Sequence, residues 1–550
     1  MIRLFDEKWV SYKDEILELY FRGWFEYDNV IYHEVNSSIF SLFRNVNIGD
    51  LIKDFNGSFS FIIIKDDILT IIADRNRSYP VLYFIRDNKV VITDSISKYG
   101  KTTNAIFTPQ DVMAEQYFAS SYIFDKYTLF ENVFSVQAGE IVFINKETNV
   151  FTSEVYFQWL PNMSIALEKR KLNVEAKLQD EIFLKTINRM IKSCPEVNNW
   201  IIPLSGGYDS RVIVNYLYKL GIKNVICYSY GVADNEQSQL SQQIAEALGY
   251  HWYFIDYEEW TNKLQKTSLL EDYIDYAFNG TSTAHLQDFP AVYALKQLNI
   301  LQKGDVFVPG HTLDFITGGH LIESMEKIKS KNEAFPFLER HFSNLNYYSY
   351  NKTLRDHIAG IVKNIQIGNN QIPEYFNWKE RQSKFIINSV RCYEFFGFEW
   401  RTPLWDKELT DYWIKIEFNF RMKRGVFIEV FKDFLVVDKL KNIPLYNDLV
   451  KYRKPSLKER MKSVIPTSMK TKLRRLGFKT SSYYKINEGL NLVYSDKDET
   501  IHDFVINHKF PCQMKSFIMR NYRNQEMRYF GINTITSILL LRKYYNKNNH

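Results

Sequence analysis

With 550 residues and a mass of 65.5 kDa, the chain can bury several cores and is expected to form two or three domains, not a small staple-dependent module. Hydrophobic residues make up 45% and charged residues 24%, with only 22 Gly and 14 Pro, a balance that excludes collagen-like and low-complexity architectures. The net charge of +6 falls short of the basic excess of a dedicated nucleic-acid binder, so no nucleic-acid partner is expected.

In chain order, residues from about 55 to 95 read as antiparallel hairpins. Phe59, Phe61 and Ile63 alternate before an Asp66-Asp67 turn and Ile68 to Ile72 follow it, while Val81 to Ile85 and Val90 to Thr93 flank Asp87-Asn88. Leu172 to Lys192 reads as an amphipathic helix carrying Leu178, Ile182, Phe183 and Ile187 on one side, and a domain boundary is placed near residue 165. Strand and helix then alternate as in a parallel sheet: Trp200 to Leu204, a glycine loop, a helix from Ser210 to Leu220 closed by Gly221, a strand from Val225 to Tyr230, a helix stopped at Gly249, and a strand from His251 to Ile255. Beyond residue 260 the pattern is mostly helical, with one more strand at Val306 to Val308. Residues 451–479 hold eleven Lys/Arg against one acid, Glu459; a solvated helix face is the default reading and a membrane-surface contact the alternative.

Cys194, Cys227, Cys392 and Cys512 are scattered without CxxC spacing, which supports neither a disulfide framework nor a zinc ribbon. An early acid at Asp6 disfavours a secretory signal, and no apolar run approaches the ~18 residues of a spanning helix. The expected location is the cytoplasm.

The chemistry centres on Leu204-Ser205-Gly206-Gly207-Tyr208-Asp209-Ser210, between a strand and a helix. Two glycines let backbone N–H groups approach an anion, the helix N-terminus adds positive potential, and Ser205 and Ser210 supply hydroxyl donors. Asp209 suits such a site when Mg²⁺ stands between its carboxylate and the phosphates. The GK[ST] ending of a Walker loop is absent. A second loop, Pro309-Gly310-His311-Thr312-Leu313-Asp314, leaves another parallel strand, so Asp314 is a second candidate for the same Mg²⁺; a turn-forming aspartate is the plainer reading.

The first loop resembles the SGGxDS pyrophosphate loop of the ATP pyrophosphatase superfamily. Phe55-Asn56-Gly57-Ser58-Phe59-Ser60-Phe61, Asp74-Arg75-Asn76-Arg77-Ser78-Tyr79-Pro80-Val81-Leu82-Tyr83, Ala138-Gly139-Glu140, Tyr156-Phe157 and Glu399-Trp400-Arg401-Thr402-Pro403-Leu404-Trp405-Asp406 follow in the order of similar segments in the asparagine synthetase-like amide ligases, over about residues 50 to 460. The resemblance implies a mixed α/β and α+β chain. Residues 1–165 would be an antiparallel, Ntn-hydrolase-like (αββα) glutaminase domain, residues 166–480 a Rossmann-like parallel-sheet ATP pyrophosphatase domain with helical additions, and residues 481–550 a mostly helical extension. It also implies ATP and Mg²⁺ as cofactors, with Leu204, Ser205, Gly206, Gly207, Asp209, Ser210, Tyr230, Gly231, Gly310 and Arg391 on the nucleotide and Asp209 with Asp314 on the metal. Arg401 is a further candidate for a phosphate or the substrate carboxylate. Lys454 aligns with the family's RxK lysine, a cation over the developing negative charge; the register also allows Lys451, and a solvated lysine is the plain alternative.

The departures narrow this. Where similar asparagine synthetases carry glutamates, this chain has His311 and Phe315; an imidazole can accept a proton from an incoming amine, or His311 is a hydrogen-bonded loop residue. The altered loop is similar to those of lasso-peptide cyclases and of asparagine synthase-like proteins of surface-polysaccharide clusters. The resembled glutaminases use an N-terminal cysteine, whereas this chain begins Met1-Ile2 and its first cysteine is Cys194, so the first domain is expected to be inactive. The expected activity is adenylation of a small-molecule or sugar carboxylate and transfer of ammonia or an amine to it, releasing AMP and pyrophosphate. Uronic-acid amidation, peptide or lactam cyclisation, RNA modification and a non-catalytic nucleotide-binding scaffold are the alternatives. A homodimer is allowed.

Overall fold

A computed structural model describes residues 1–33, 37–44, 47–161, 172–343, 347, 351–446, 510–523 and 532–546. The boundary expected near residue 165, the basic 451–479 segment and Lys454 lie outside the described residues.

The N-terminal half is built on two sheets. The larger runs in the order Phe151–Val155, Glu140–Asn145, Ile68–Ala73, Asn56–Lys65, Leu17–Tyr27 and Val10–Lys13, with Val30–Tyr32 also on Leu17–Tyr27, and every pairing is antiparallel. The smaller runs Ile2–Arg3, Lys89–Thr93, Leu82–Arg86 and Val133–Ser135; its Ile2–Arg3 pairing is parallel. Asp28 and Asn29, and again Asp87 and Asn88, adopt positive φ between paired strand ends, as a two-residue hairpin turn requires to match the strand twist. The strands before residue 55 were not among the expected elements, although Leu17, Leu19 and Phe21 carry the same period of two.

Strand alternation decides the layering. Ile62, Ile71, Val142 and Ile144 of the larger sheet meet Tyr83, Val90 and Ile92 of the smaller in one buried cluster. The opposite face of the larger sheet, with Phe21, Phe25, Phe59 and Phe61, is covered by Ile39, Phe40 and Phe43 of the Ser37–Arg44 helix and Leu51 of Ile48–Ile52. The opposite face of the smaller sheet, with Leu82, Phe84 and Val91, is covered by the Ile96–Thr103 and Asp111–Ser120 helices. Helices thus enclose two stacked sheets.

The second half holds a five-stranded, wholly parallel sheet in the order His251–Asp256, Val225–Gly231, Trp200–Pro203, Val306–Phe307, Glu399–Trp400. The Glu399–Trp400 strand was not expected; two residues give too short a pattern to read. Both faces of the Trp200–Pro203 strand are buried, with Ile201 and Ile202 pointing into different cores, which explains its continuous apolar run. The strand order reverses between Trp200–Pro203 and Val306–Phe307, which opens a crevice at their carboxyl ends. The Leu172–Lys192 helix spans the expected residues.

One core runs through both halves: Phe84, Tyr117 and Phe130 share a cluster with Ile201, Phe307 and Tyr393. Met514, Ile518, Ile538 and Leu541 of the C-terminal Cys512–Arg523 and Ile532–Asn546 helices join it. The polar seam centres on Asp406. Its side chain accepts from Asn56 Nδ2 at 3.0 Å and from Arg189, and it caps the Lys407–Trp413 helix through Glu408 N and Leu409 N. Arg75 pairs with Asp411 at 2.6 Å across the same seam. Asp406→Ala removes a helix cap and a buried partner of Arg189, which keeps Glu26 and Glu408; the expected cost is about 3 kcal/mol, read as a lower midpoint in urea unfolding.

Candidate active site

The first loop is fixed by its neighbours. Leu204 N donates to Tyr228 O at 2.8 Å, which holds the strand end. Ser205 N donates to Ser210 Oγ at 3.0 Å and Gly207 N to Ser205 Oγ at 3.3 Å, so the turn folds back on the first residues of the Asp209–Lys219 helix. The second loop comes in at backbone distance. A Cβ at Gly310 would stand 2.7 Å from Ser210 N and 3.0 Å from Asp209 C, so only glycine lets this loop lie against the helix N-terminus.

This approach brings the two aspartates together. Asp314 N donates to Asp209 Oδ2 at 3.3 Å. Asp209 Oδ1 is paired with Arg424 Nη2 at 2.6 Å, and Asp314 Oδ2 lies 2.6 Å from His320 Nε2. Arg424 sits over the rings of Tyr208 and Phe427, at 5.1 and 4.7 Å. Burial pushes the Asp209 carboxyl up; Arg424 pulls against this and the charge of Asp314 adds to it. At Asp314 burial is outweighed by His320, with Arg424 and Arg381 adding, and the carboxyl falls to about 2. Two carboxylates sharing a cleft are thus driven apart in affinity for a proton.

His311 lies against Ser389, whose Oγ is 3.3 Å from both ring nitrogens and donates to Ile386 O at 2.7 Å. Burial pushes the imidazole pKa down, against the charges of Asp288 and Asp314, so it is neutral near pH 7. His285 is held to about 3 by burial, His311 and Arg381, and its ring centre is 5.0 Å from that of Phe385. Tyr230 and Gly231 end the Val225–Gly231 strand, Tyr230 stacking on Tyr257 with ring centres 4.8 Å apart.

The structure therefore gathers Leu204, Ser205, Gly206, Gly207, Asp209, Ser210, Gly310 and Asp314 at one crevice, and places Tyr230 and Gly231 at the end of the adjoining strand. Arg391, expected on the nucleotide, is held elsewhere. It donates to Ser78 O at 2.7 Å, pairs with Glu394 at 2.6 Å, and lines a separate cavity of about 370 Å³ with Asp6, Arg22 and Tyr79. Arg401, expected on a phosphate or carboxylate, donates instead to Ser193 Oγ and Ser193 O, at 2.8 and 2.9 Å. The sequence reading missed Arg424, which no local pattern marks, and gave no role to His320, although the Gly318-Gly319-His320 run was legible.

Among the described residues no group of three or more His, Cys, Asp and Glu side chains gathers as a metal site. Asp209 and Asp314 nevertheless fit Mg²⁺, which takes one or two hard carboxylates and completes its shell with substrate phosphates and water.

Residues 201–503 match the asparagine synthase family. The chain belongs to the asparagine synthase family. At that level it is an ATP-dependent amide ligase. Among solved structures it is similar to an NMN synthetase from Francisella tularensis (15% identity over 36% of this chain and 91% of that one, TM-score 0.20). It is similar also to an NH3-dependent NAD synthetase from Campylobacter jejuni (13% identity, 39% and 96%, TM-score 0.21). A third likeness is to a glutamine phosphoribosylpyrophosphate amidotransferase from B. subtilis (12% identity, 57% and 59%, TM-score 0.19). No curated protein matches the chain. Among the described residues no helix is long and apolar enough to cross a membrane.

Gly310→Ala tests the close approach of the two loops. It is expected to weaken binding of a non-hydrolysable ATP analogue about tenfold or more in calorimetry, about 1.4 kcal/mol, with secondary structure by circular dichroism unchanged.

Proposed function

We propose that this member of the asparagine synthase family is an AMP-forming amide ligase that adenylates a carboxylate and passes it to ammonia or an amine. The observation that carries the reading is the meeting of Asp209 and Asp314, from separate loops, at the reversal of a parallel sheet and beside a helix N-terminus. ATP phosphates would be met by the hydroxyls of Ser205 and Ser210 and by loop N–H groups that exchange their internal bonds, Ser205 N on Ser210 Oγ and Gly207 N on Ser205 Oγ, for phosphate oxygens. Asp209 and Asp314 would hold Mg²⁺, which when bound neutralises phosphate charge.

An acceptor carboxylate oxygen attacks the α-phosphorus and pyrophosphate leaves. The amine nitrogen then attacks the acyl carbon, a proton passes from that nitrogen to neutral His311, and the acyl C–O bond breaks with its electron pair leaving on AMP. Burial suits His311 to this task by keeping it unprotonated before the amine arrives. Lys454 is proposed as the cation over the developing charge, as the resemblance implies. No cysteine stands among residues 1–193 to serve as a thiol nucleophile for glutamine, so the N-terminal half is read as a glutaminase-like scaffold and the nitrogen as free ammonia, an amine on the substrate, or ammonia from a partner.

The test is ATP–pyrophosphate exchange with L-aspartate, D-glucuronate and peptide carboxylates, followed by ammonium addition and mass spectrometry. AMP and pyrophosphate are expected; ADP and phosphate as products would refute the reading. Asp209→Asn and Asp314→Asn are each expected to lower exchange at least about 100-fold, about 2.7 kcal/mol of barrier. His311→Gln is expected to leave exchange near its original rate and to slow amide formation about 10²-fold or more, measured as product per adenylate formed.

A further inference from the structure

The segment between residues 372 and 391 is a continuous helical rod, with a wide-wound π-helical stretch at Asn377–Ile386 between α and 3-10 turns. It has two chemically distinct sides. On one, Lys384 is fully buried and donates to Ile123 O at 2.8 Å, Asp125 O at 2.6 Å and Glu380 Oε2 at 2.6 Å, while Lys379 pairs with Asp125 at 3.2 Å. That side is anchored to the N-terminal half. On the other, Phe385 packs on the His285 ring and Ser389 meets His311. Arg381, Phe385 and Ser389 are spaced by four residues, so Arg381 stands one turn earlier on the side that faces the crevice.

Arg381 differs from its arginine neighbours in making no hydrogen bond or ion pair among the described residues. Arg424 is spent on Asp209, Arg391 on Glu394 and Ser78, Arg421 on Glu374, and Arg77 on Ser135, Val136 and Thr281. Among the described residues Arg381 makes neither a hydrogen bond nor an ion pair, though it is only half-exposed. A guanidinium held partly out of water by a rod that is locked on its far side offers a preorganised fork for an oxyanion.

Resting on the ligase reading above, we propose that Arg381 anchors the acceptor carboxylate and so sets the affinity of the site for an acid over its neutral amide. Its position on the rod, one turn before Phe385 on His285 and two before Ser389 on His311, and outside the Ser205–Ser210 loop, assigns it to the acceptor. The carboxylate whose charge it meets, Asp314, already has His320.

The test is arginine labelling of the full chain by phenylglyoxal with mass spectrometry, in the presence of Mg²⁺ and α,β-methylene ATP. Arg381 is expected to be labelled in this state and protected by L-aspartate or D-glucuronate, and not by aspartamide or glucuronamide. In exchange assays Arg381→Gln is expected to raise the half-saturating acid concentration about 10- to 100-fold while that of ATP stays within about twofold; Arg381→Lys should recover part of the loss. Equal protection by acid and amide, no protection by either acid, or a shift in ATP instead of acid would each overturn the anchor. Protection of Arg381 without any exchange would uphold the anchor and count against the ligase reading alone.

Discussion

Two carboxylates are forced into one cleft by the way the sheet is wound, and the rest of the site answers that repulsion. Unit charges ~4 Å apart repel by about 4 kcal/mol at an effective dielectric of 20, a large fraction of a domain's net stability. In this chain the repulsion is met by Arg424 on one carboxylate and His320 on the other. Both loops leave the carboxyl ends of adjoining parallel strands, so the two acids are oriented by the fold itself. Holding them so costs local freedom. Lys423 and Arg424 both adopt positive φ, a strained backbone for side chains of their size, and the stack of Arg424 on Tyr208 and Phe427 offsets it.

The halves of the molecule are not beads on a string. A single apolar cluster extends from the smaller N-terminal sheet to the parallel sheet and takes in both described C-terminal helices, so the crevice is braced from several directions. Asp406 shows how tightly the polar seam is bound to this: one carboxylate caps a helix of the second half, takes Asn56 from the first, and pairs with Arg189. The 372–391 rod does the same for the site, with buried charges on one side fixing the orientation of the residues that face the crevice on the other. The N-terminal half therefore contributes a wall against which this rod is set.

Much was legible in the sequence because it depends on neighbours a few positions apart. The Ser205–Ser210 turn could be read from two glycines between an apolar strand and an amphipathic helix, and the parallel sheet from alternating periods. The Asp28-Asn29 hairpin and the two-residue strand at Glu399–Trp400 escaped, the first among aromatic residues of mixed exposure and the second for want of length. Arg391 and Arg401 show the opposite error. Their residue type suits phosphates, but a guanidinium goes wherever carbonyls and carboxylates are nearest in space, and here those belong to Ser78, Glu394 and Ser193.

Chain order alone determined the local pieces: a strand, a glycine turn, a helix start, and a second glycine loop with an aspartate five residues after its proline. Tertiary structure decided that the two aspartates, 105 positions apart, share one cleft, that Arg424 reaches the first across 215 positions, and that Arg381 makes no ion pair among the described residues. The physical reason is range. Backbone conformation is set by steric and hydrogen-bonding terms between near neighbours, whereas charge compensation acts through space and is invisible until the chain has folded on itself.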